Sequence, residues 1–350
     1  MATRAERLAF TGLQTARVAF YGAHYLAARV LARDNVSSAP KPEHKLPSLA
    51  AMARAMTDLF AQDWKNVEAG LYPAPLNILK EIGRATKSID YFRDVPGVVK
   101  RQKRHGHSEV PQKNDLPRYY RQNFHYQTDG YLSDRSAQIY DFQVEALFAG
   151  TADAMRRRAY VPIAKYLGGR DAAKTTLLDI GAGTGRFLSF VKSVQPDLLV
   201  TALDLSAPYL ARARRALRGK DGADFLEAAA EKIPLPDASV DIAVSIYLFH
   251  ELPPKIRAAA AKEIARVLKP GGIFVQADTI QYGDVPEFDG LLDLFPTLLH
   301  EPYYATYAKT DLGKLFGGLK HTGEDIAYLT KISVFEKAPA KRRALSAKRR

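Results

Sequence analysis

Between Leu177 and Leu188 the chain reads Leu-Leu-Asp-Ile-Gly-Ala-Gly-Thr-Gly-Arg-Phe-Leu, a run compatible with very few folds. Leu177, Leu178 and Ile180 suit a buried strand. Gly181, Gly183 and Gly185 follow as a turn without Cβ atoms, where a ligand can approach bare backbone at the carboxyl end of a strand. Phe187 and Leu188 then open a helix. Asp204, nineteen residues after Gly185, closes the next apolar run. A carboxylate there can accept hydrogen bonds from two ribose hydroxyls, so the pattern points to an adenosine-containing cofactor.

From Thr175 to Lys337 apolar runs alternate with helical patterns, which predicts a parallel α/β sheet. Strands are expected near 176–180, 198–204, 223–227, 240–246, 272–278, 322–328 and 331–336. Helices are expected near 185–195, 206–218, 253–268, 286–298 and 310–316. In the third of these, Ile256, Ala260, Ile264 and Val267 recur three or four apart behind Pro253-Pro254, and Lys269-Pro270-Gly271-Gly272 ends the helix.

Four more features follow the glycine turn in order. Asp204 ends strand two. Ala230-Glu231-Lys232-Ile233-Pro234-Leu235-Pro236-Asp237 follows strand three. Val240-Asp241-Ile242-Ala243-Val244-Ser245 leads to Phe249-His250-Glu251-Leu252-Pro253. Leu268-Lys269-Pro270-Gly271-Gly272 precedes strand five. A dinucleotide-binding turn expects a small residue where Arg186 stands, which disfavours NAD. As a set, these motifs resemble the class I S-adenosylmethionine-dependent methyltransferases, in the subgroup that includes ubiquinone and menaquinone biosynthesis enzymes. The resemblance covers about residues 140 to 336. It implies a Rossmann-like, doubly wound, seven-stranded sheet with a reversed last strand. It implies S-adenosyl-L-methionine as cofactor, with Gly181 and Gly183 behind its methionine part, Asp179 near its ammonium and Asp204 on its ribose. Ala182, Leu205, Ala230, Glu231 and Tyr247 complete the implied cofactor set. Many relatives place an Asp-Ala pair against the adenine, but this chain has Ala229-Ala230. The Ala230 backbone and Glu231 are left to replace that contact.

Methyl transfer from a sulfonium is an in-line displacement, and the protein's task is alignment and exclusion of water. An acidic acceptor also needs a base near the strand ends. His250 just after strand four and Asp278 at the end of strand five are the catalytic candidates. Two aromatic segments are candidate walls for a flat or apolar acceptor. One runs from Tyr119 to Tyr140 with His125, Tyr126 and Tyr131. The other is His300-Glu301-Pro302-Tyr303-Tyr304. His125, Tyr131, His300, Tyr303 and Tyr304 are the substrate candidates. Trp64 reads as a helix packing residue. His105 and His107 flank Gly106 in a basic arm without neighbouring ligands, and no metal site is expected.

The domain reading is a mainly helical N-terminal extension over residues 1–118, a catalytic domain over 119–336 with a lid at 119–140, and a basic disordered tail over 337–350. In the extension, Asp34 to Pro47 reads as a loop. Helices are expected over 47–70 and 76–92, and the stretch from Lys100 to Gln122 as a linker. Residues 8 to 31 are apolar, but Arg17 and Arg29 leave too short a run for a membrane span, and no cleavage site marks a signal peptide. Five arginines up to Arg33 give the segment a transit-peptide flavour. A packed helix and an interfacial membrane helix are the other readings. The absence of cysteine in 350 residues excludes disulfides, thiolate zinc sites and thiolate nucleophiles. The tail's seven basic residues make about half of the net charge of +13.

The leading functional reading is therefore a methyltransferase for a small aromatic or lipophilic molecule, cytoplasmic, with peripheral membrane contact through residues 8–31 or the tail. The basic arm and tail also admit a nucleic-acid or protein methyltransferase, although no base-methylation motif or RNA-binding module is present. A non-catalytic cofactor-binding scaffold is the third reading.

Overall fold

The computed structural model describes residues 2–31, 41–103, 110 and 116–340. His105, His107, the start of the Asp34–Pro47 loop and tail residues 341–350 lie outside the described residues. The sheet consists of β1 (Thr176–Ile180), β2 (Leu199–Asp204), β3 (Ala223–Glu227), β4 (Val240–Ile246), β5 (Leu268–Thr279), β6 (Lys320–Ala327) and β7 (Thr330–Glu336). Their order is β3-β2-β1-β4-β5-β7-β6. The first five strands run parallel, and β7 pairs antiparallel to both β5 and β6. The reversed last strand of the sequence reading is therefore present.

Because side chains alternate across a strand, β1 sends Leu177 into one core and Leu178 into the other, and β4 divides Ile242 and Val244 from Ala243 in the same way. Both faces are covered, as an all-parallel sheet core requires. On one face α10 (Pro254–Val267) buries Ala260, Ile264 and Val267, the stripe expected from its spacing. Phe249, Phe274, Phe316 and Phe335 pack beside it.

The opposite face is covered partly by the N-terminal helices. α1 (Arg4–Leu31) turns Phe10, Gln14, Arg17 and Tyr21 inward, and α2 (Leu49–Glu68) turns Leu59, Trp64 and Val67 inward. Phe10 and Trp64 meet at 5.3 Å between ring centroids, so Trp64 packs as expected. These residues belong to the same core as Leu177, Val200 and Val275. The extension is thus built onto the sheet and has no separate core. No described helix is long and apolar enough to cross a membrane.

Three boundaries differ from the sequence reading. The helix expected over 76–92 is two, α3 (Ile78–Ala85) and α4 (Ser88–Lys103), and α4 runs into the expected linker. The helical stretch before the sheet is α5 (Asp134–Leu147), α6 (Ala152–Arg158) and α7 (Tyr160–Leu167). It breaks at Ala149 and Gly150, both with positive φ. The tail begins later than Lys337, because the Lys337 amide donates to the Gly272 carbonyl at 2.9 Å and its ammonium to the Leu268 carbonyl at 2.7 Å.

α8 (Arg186–Val194) and α9 (Ala207–Ala216) follow β1 and β2. Gly185 has φ +73°, and a Cβ there would come within 2.8 Å of the Ala213 Cβ, so glycine lets these two helices meet. α11 (Asp289–Leu298), α12 (Tyr304–Tyr307) and α13 (Leu312–Leu315) fill the connection between β5 and β6.

Candidate active site

The strand order reverses between β1 and β4, and open α/β sheets bind ligands beyond the strand ends at such a point. A cleft lies there. Gly181, Gly183, Asp204, Leu205, Ala230 and Tyr247 line it. Tyr119, Tyr120, Tyr131, Tyr140 and Tyr209 close it from above. Its free volume is about 80 Å³. Sites that bury a cofactor-sized ligand measure roughly 300–1,000 Å³.

The glycine turn is fixed by backbone bonds. Gly181 and Ala182 amides both donate to the Leu203 carbonyl, at 2.8 and 3.0 Å. Gly181 has φ +74° and Gly183 +55°, conformations that suit glycine. At Gly183 an added Cβ would meet nothing closer than 4.0 Å, so the turn presents open backbone to the cleft.

Asp204 accepts from the Gly183 amide on one oxygen and the Ser206 amide on the other, both at 2.8 Å. These bonds aim the carboxylate into the cleft. Burial raises its pKa to about 6, against the lowering effect of the two amides. Asp179, at the end of β1, is almost fully buried and makes no side-chain hydrogen bond. Burial, with the Asp204 charge adding to it, pushes its pKa to about 8. A cation brought to this carboxyl would favour its ionised form.

Ala182 and Glu231 do not line the cleft. Ala182 lies behind the turn against the core, and both Glu231 oxygens accept from the Tyr119 hydroxyl at 2.8 and 2.9 Å. Glu231 thus anchors the lid. Ala228, Ala229 and Ala230 follow β3 and form an apolar wall.

His250 and Asp278, chosen from different strand ends, form a pair at 2.5 Å between Nδ1 and Oδ1. The Phe249 and Thr279 amides donate to Asp278 at 2.8 and 2.7 Å and fix its orientation. Burial works against the His250 imidazolium. Asp278, aided by Glu301 and Glu251, outweighs burial and raises the pKa to about 10. In this state His250 is a proton donor.

His125 enters the same region from the lid, with Nδ1 3.2 Å from Glu301 and Nε2 3.5 Å from Glu251. Burial lowers its pKa, but Glu301 and Glu251 raise it further, and the net shift is upward. Its φ of +55° is followed by +53° at Tyr126 and +62° at Asp129, so the lid holds a strained backbone here. The Tyr131 hydroxyl donates to Glu251, and its ring stacks on Phe124 at 5.4 Å. Tyr304 is buried 6.0 Å from the His250 ring. Tyr303 accepts from Gln122 at 2.9 Å, tying the second aromatic segment to the lid. His300 packs on Tyr126 and does not line the cleft. Tyr209, Glu251 and Glu301 were not singled out from sequence. Glu251, adjacent to His250, had a local signal; Tyr209 and Glu301 did not.

Residues 178–276 match the family described as a methyltransferase domain. Among known proteins, the chain is 31% identical over 150 residues to an uncharacterized methyltransferase of Geobacillus kaustophilus, covering 42% of this chain and 61% of that protein. It is 35% identical over 122 residues to the ubiquinone/menaquinone biosynthesis C-methyltransferase of Methylobacterium nodulans, covering 34% and 47%. A fatty-acid O-methyltransferase of Mycolicibacterium smegmatis is 30% identical over 122 residues, covering 35% and 43%. The chain thus spans about half the length of the curated relatives it matches. The crystal structure of a SAM-dependent methyltransferase from Aquifex aeolicus aligns over 51% of this chain and 88% of its own, at 20% identity and a TM-score of 0.39. Residues around the sheet form a class I S-adenosylmethionine-dependent methyltransferase domain.

Proposed function

We propose that the protein transfers a methyl group from S-adenosylmethionine to a small aromatic or lipophilic acceptor. The observation that carries this reading is the junction of two half-sites at the β1/β4 strand ends. Gly181, Gly183 and Asp204 line one side, with Asp179 buried at the end of β1, and Tyr119, Tyr120, Tyr131, Tyr140 and Glu251 line the other, with His250 of the buried His250–Asp278 pair next to Glu251 in the chain. The residues fit such a cofactor. Asp179 lacks a cationic partner, Asp204 has two aimed oxygens, and Gly183 offers open backbone. When bound, the cofactor supplies an electrophilic methyl on a sulfonium. The chain's part is to orient both partners and exclude water. Tyr120, Tyr131 and Tyr140 cover the reacting centre, and the His250–Asp278 pair holds or moves a proton at the acceptor end.

The test is to incubate the full chain with methyl-labelled S-adenosylmethionine and four separate fractions: polar metabolites, lipid extract, RNA and protein. Label in a small-molecule fraction, with a mass gain of one CH₂ unit, supports the reading. Label confined to RNA or protein moves the assignment to a macromolecular acceptor.

For the acceptor's route, we favour a membrane surface met by the N-terminal helices. Of the exposed large hydrophobic residues, all but Leu199 fall between Leu8 and Ile89. Leu26, Val30 and Leu31 end α1, while Ile78, Leu79 and Ile82 lie on one face of α3, with Ile89 continuing it in α4. Arg29 in α1, Lys87 in the turn between α3 and α4, and Arg93 in α4 carry the charge sign that anionic lipid attracts. Co-sedimentation with phosphatidylglycerol vesicles, lost on Leu79→Ser with Ile82→Ser, is the expected result. Equal recovery in the supernatant with and without vesicles removes this route.

A further inference from the structure

We propose that His125, His250, Glu251 and Glu301 form a binding site for a borderline divalent cation of the zinc, manganese or iron class. The four side chains come from three separated segments: the lid, the turn after β4, and the connection between α11 and α12. One donor atom from each of His125, Glu251 and Glu301 lies within 4.8 Å of the other two. His250 Nε2 is 3.9 Å from Glu301. Donors about 2.0–2.2 Å from a tetrahedral ion stand roughly 3.3–3.6 Å from one another. Through His125 Nδ1 and His250 Nε2, the separations from the same Glu301 oxygen are 3.2 and 3.9 Å, which bracket that range.

An independent observation points to a missing ligand. Glu301 is only 2% exposed, and neither of its carboxylate oxygens has a hydrogen-bond partner. His125 Nδ1 is buried and likewise lacks an aligned partner, although it lies within ion-pairing distance of Glu301. Buried polar atoms are nearly always satisfied, and a buried carboxylate needs compensating charge. An ion among these atoms would satisfy all three.

The surrounding groups are arranged as supports for metal ligands. Asp278 pairs with His250 Nδ1, which turns Nε2 toward Glu301, where an ion would displace the proton that the imidazolium carries there. Histidines that ligate metals are usually oriented by such a carboxylate. Tyr131 does the same for Glu251 through its hydroxyl. The donor set is imidazole and carboxylate without thiolate, since the chain has no cysteine. That set suits zinc, manganese, iron or cobalt, whereas calcium and magnesium favour all-oxygen sites. The sequence reading expected no metal, because ligands at 125, 250, 251 and 301 show no local spacing.

Glu251 and Tyr131 also line the cleft. An ion held there would face the acceptor and could lower the pKa of an acceptor hydroxyl as a Lewis acid. That role rests on the methyl-transfer reading, but binding of the ion does not, so the two fail separately. The test uses the full chain, freed of metal by chelator and titrated calorimetrically with Zn²⁺, Mn²⁺ and Co²⁺ in the absence of cofactor. One ion per chain, with a Kd of about 10 µM or tighter for at least one metal, is expected. Glu301→Gln and His125→Asn should each weaken it at least tenfold, and Asp278→Asn, through the orientation of His250, by 10- to 100-fold. His125 lies in the lid, so His125→Asn should keep its melting temperature and serve if Glu301→Gln fails to fold. No binding by the wild type below 1 mM, or affinity unchanged in a folded His125→Asn, overturns the site.

Discussion

Asp179 makes cofactor binding depend on pH in a defined direction. In the empty protein its carboxyl has a pKa of about 8. At pH 6 it is therefore almost wholly protonated, and a cationic cofactor group must displace that proton before pairing with the carboxylate. If pairing returns the pKa to the ordinary range near 4, affinity rises with pH up to the free-protein value. Between pH 6 and 7.5 the gain is about 25-fold for a free pKa of 8, and about tenfold if the free value is one unit lower. Asp204, at about 6, adds roughly a factor of two over the same interval.

The measurement is calorimetric titration with S-adenosylhomocysteine at pH 6, 6.75 and 7.5, in two buffers of different ionisation enthalpy. About one proton should be released per ligand at pH 6.75, and about 1.5 at pH 6, where Asp204 adds roughly half a proton. Asp179→Asn should abolish most of the slope and leave only the Asp204 contribution. The stability side has the opposite sign for the empty protein. A carboxyl whose pKa is raised by folding costs stability progressively from about pH 4 to pH 8. The rise in melting temperature on adding ligand should thus be larger at pH 7.5 than at pH 6. A flat affinity profile, or an identical slope in Asp179→Asn, refutes the assignment of Asp179 to the cofactor's cation.

Asp204→Ala should weaken S-adenosylhomocysteine binding by about 1.5–3 kcal/mol while the fold survives, since two charge-assisted bonds to ribose would be lost; wild-type affinity in the folded variant removes Asp204 from the site. Arg186 bonds Glu145 at 2.7 Å and Asp153 at 2.6 Å, tying α8 to α5 and α6. Because Glu145 is fully buried, Arg186→Ala should destabilise the protein by about 3–5 kcal/mol in urea unfolding; a loss under 1 kcal/mol would show that the remaining arginines neutralise the cluster. Amides across residues 119–140 should exchange more slowly with S-adenosylhomocysteine bound, because the tyrosines must reseat over a larger ligand; exchange that does not change with ligand assigns the segment to the fixed helical layer.

The strands were readable because each is a short apolar run bounded by glycine, proline or a strand-end acid, and β1 to β5 fall within a few residues of expectation. Arg186 shows a different kind of legibility. As a misfit to a dinucleotide turn it argued for another cofactor, and in the fold it is a structural cation that anchors the sheet's first helix to the layer before it. The places of Asp179, Gly181, Gly183 and Asp204 at strand ends and in the turn were legible for the same reason as the strands: local pattern encodes backbone position.

The polar end of the cleft follows no local pattern. His250 and Asp278 could be named separately as strand-end residues, but their contact depends on the pairing of β4 with β5. Glu301 looked like one residue of an aromatic segment, and only the fold reveals a buried carboxylate that faces two imidazoles without an aligned hydrogen bond. His125 reaches it because the backbone turns left-handed at His125 and again at Tyr126, a conformation no propensity would assign to those residues. Backbone strain at three positions in one short segment persists only where the surroundings over-determine it. Here those surroundings include Tyr126 bonded to the Thr297 carbonyl, Tyr131 bonded to Glu251, and the buried carboxylate of Glu301 facing the imidazole. The strain and the unsatisfied carboxylate thus meet at one place, where the left-handed turn brings the His125 imidazole to Glu301 and Glu251.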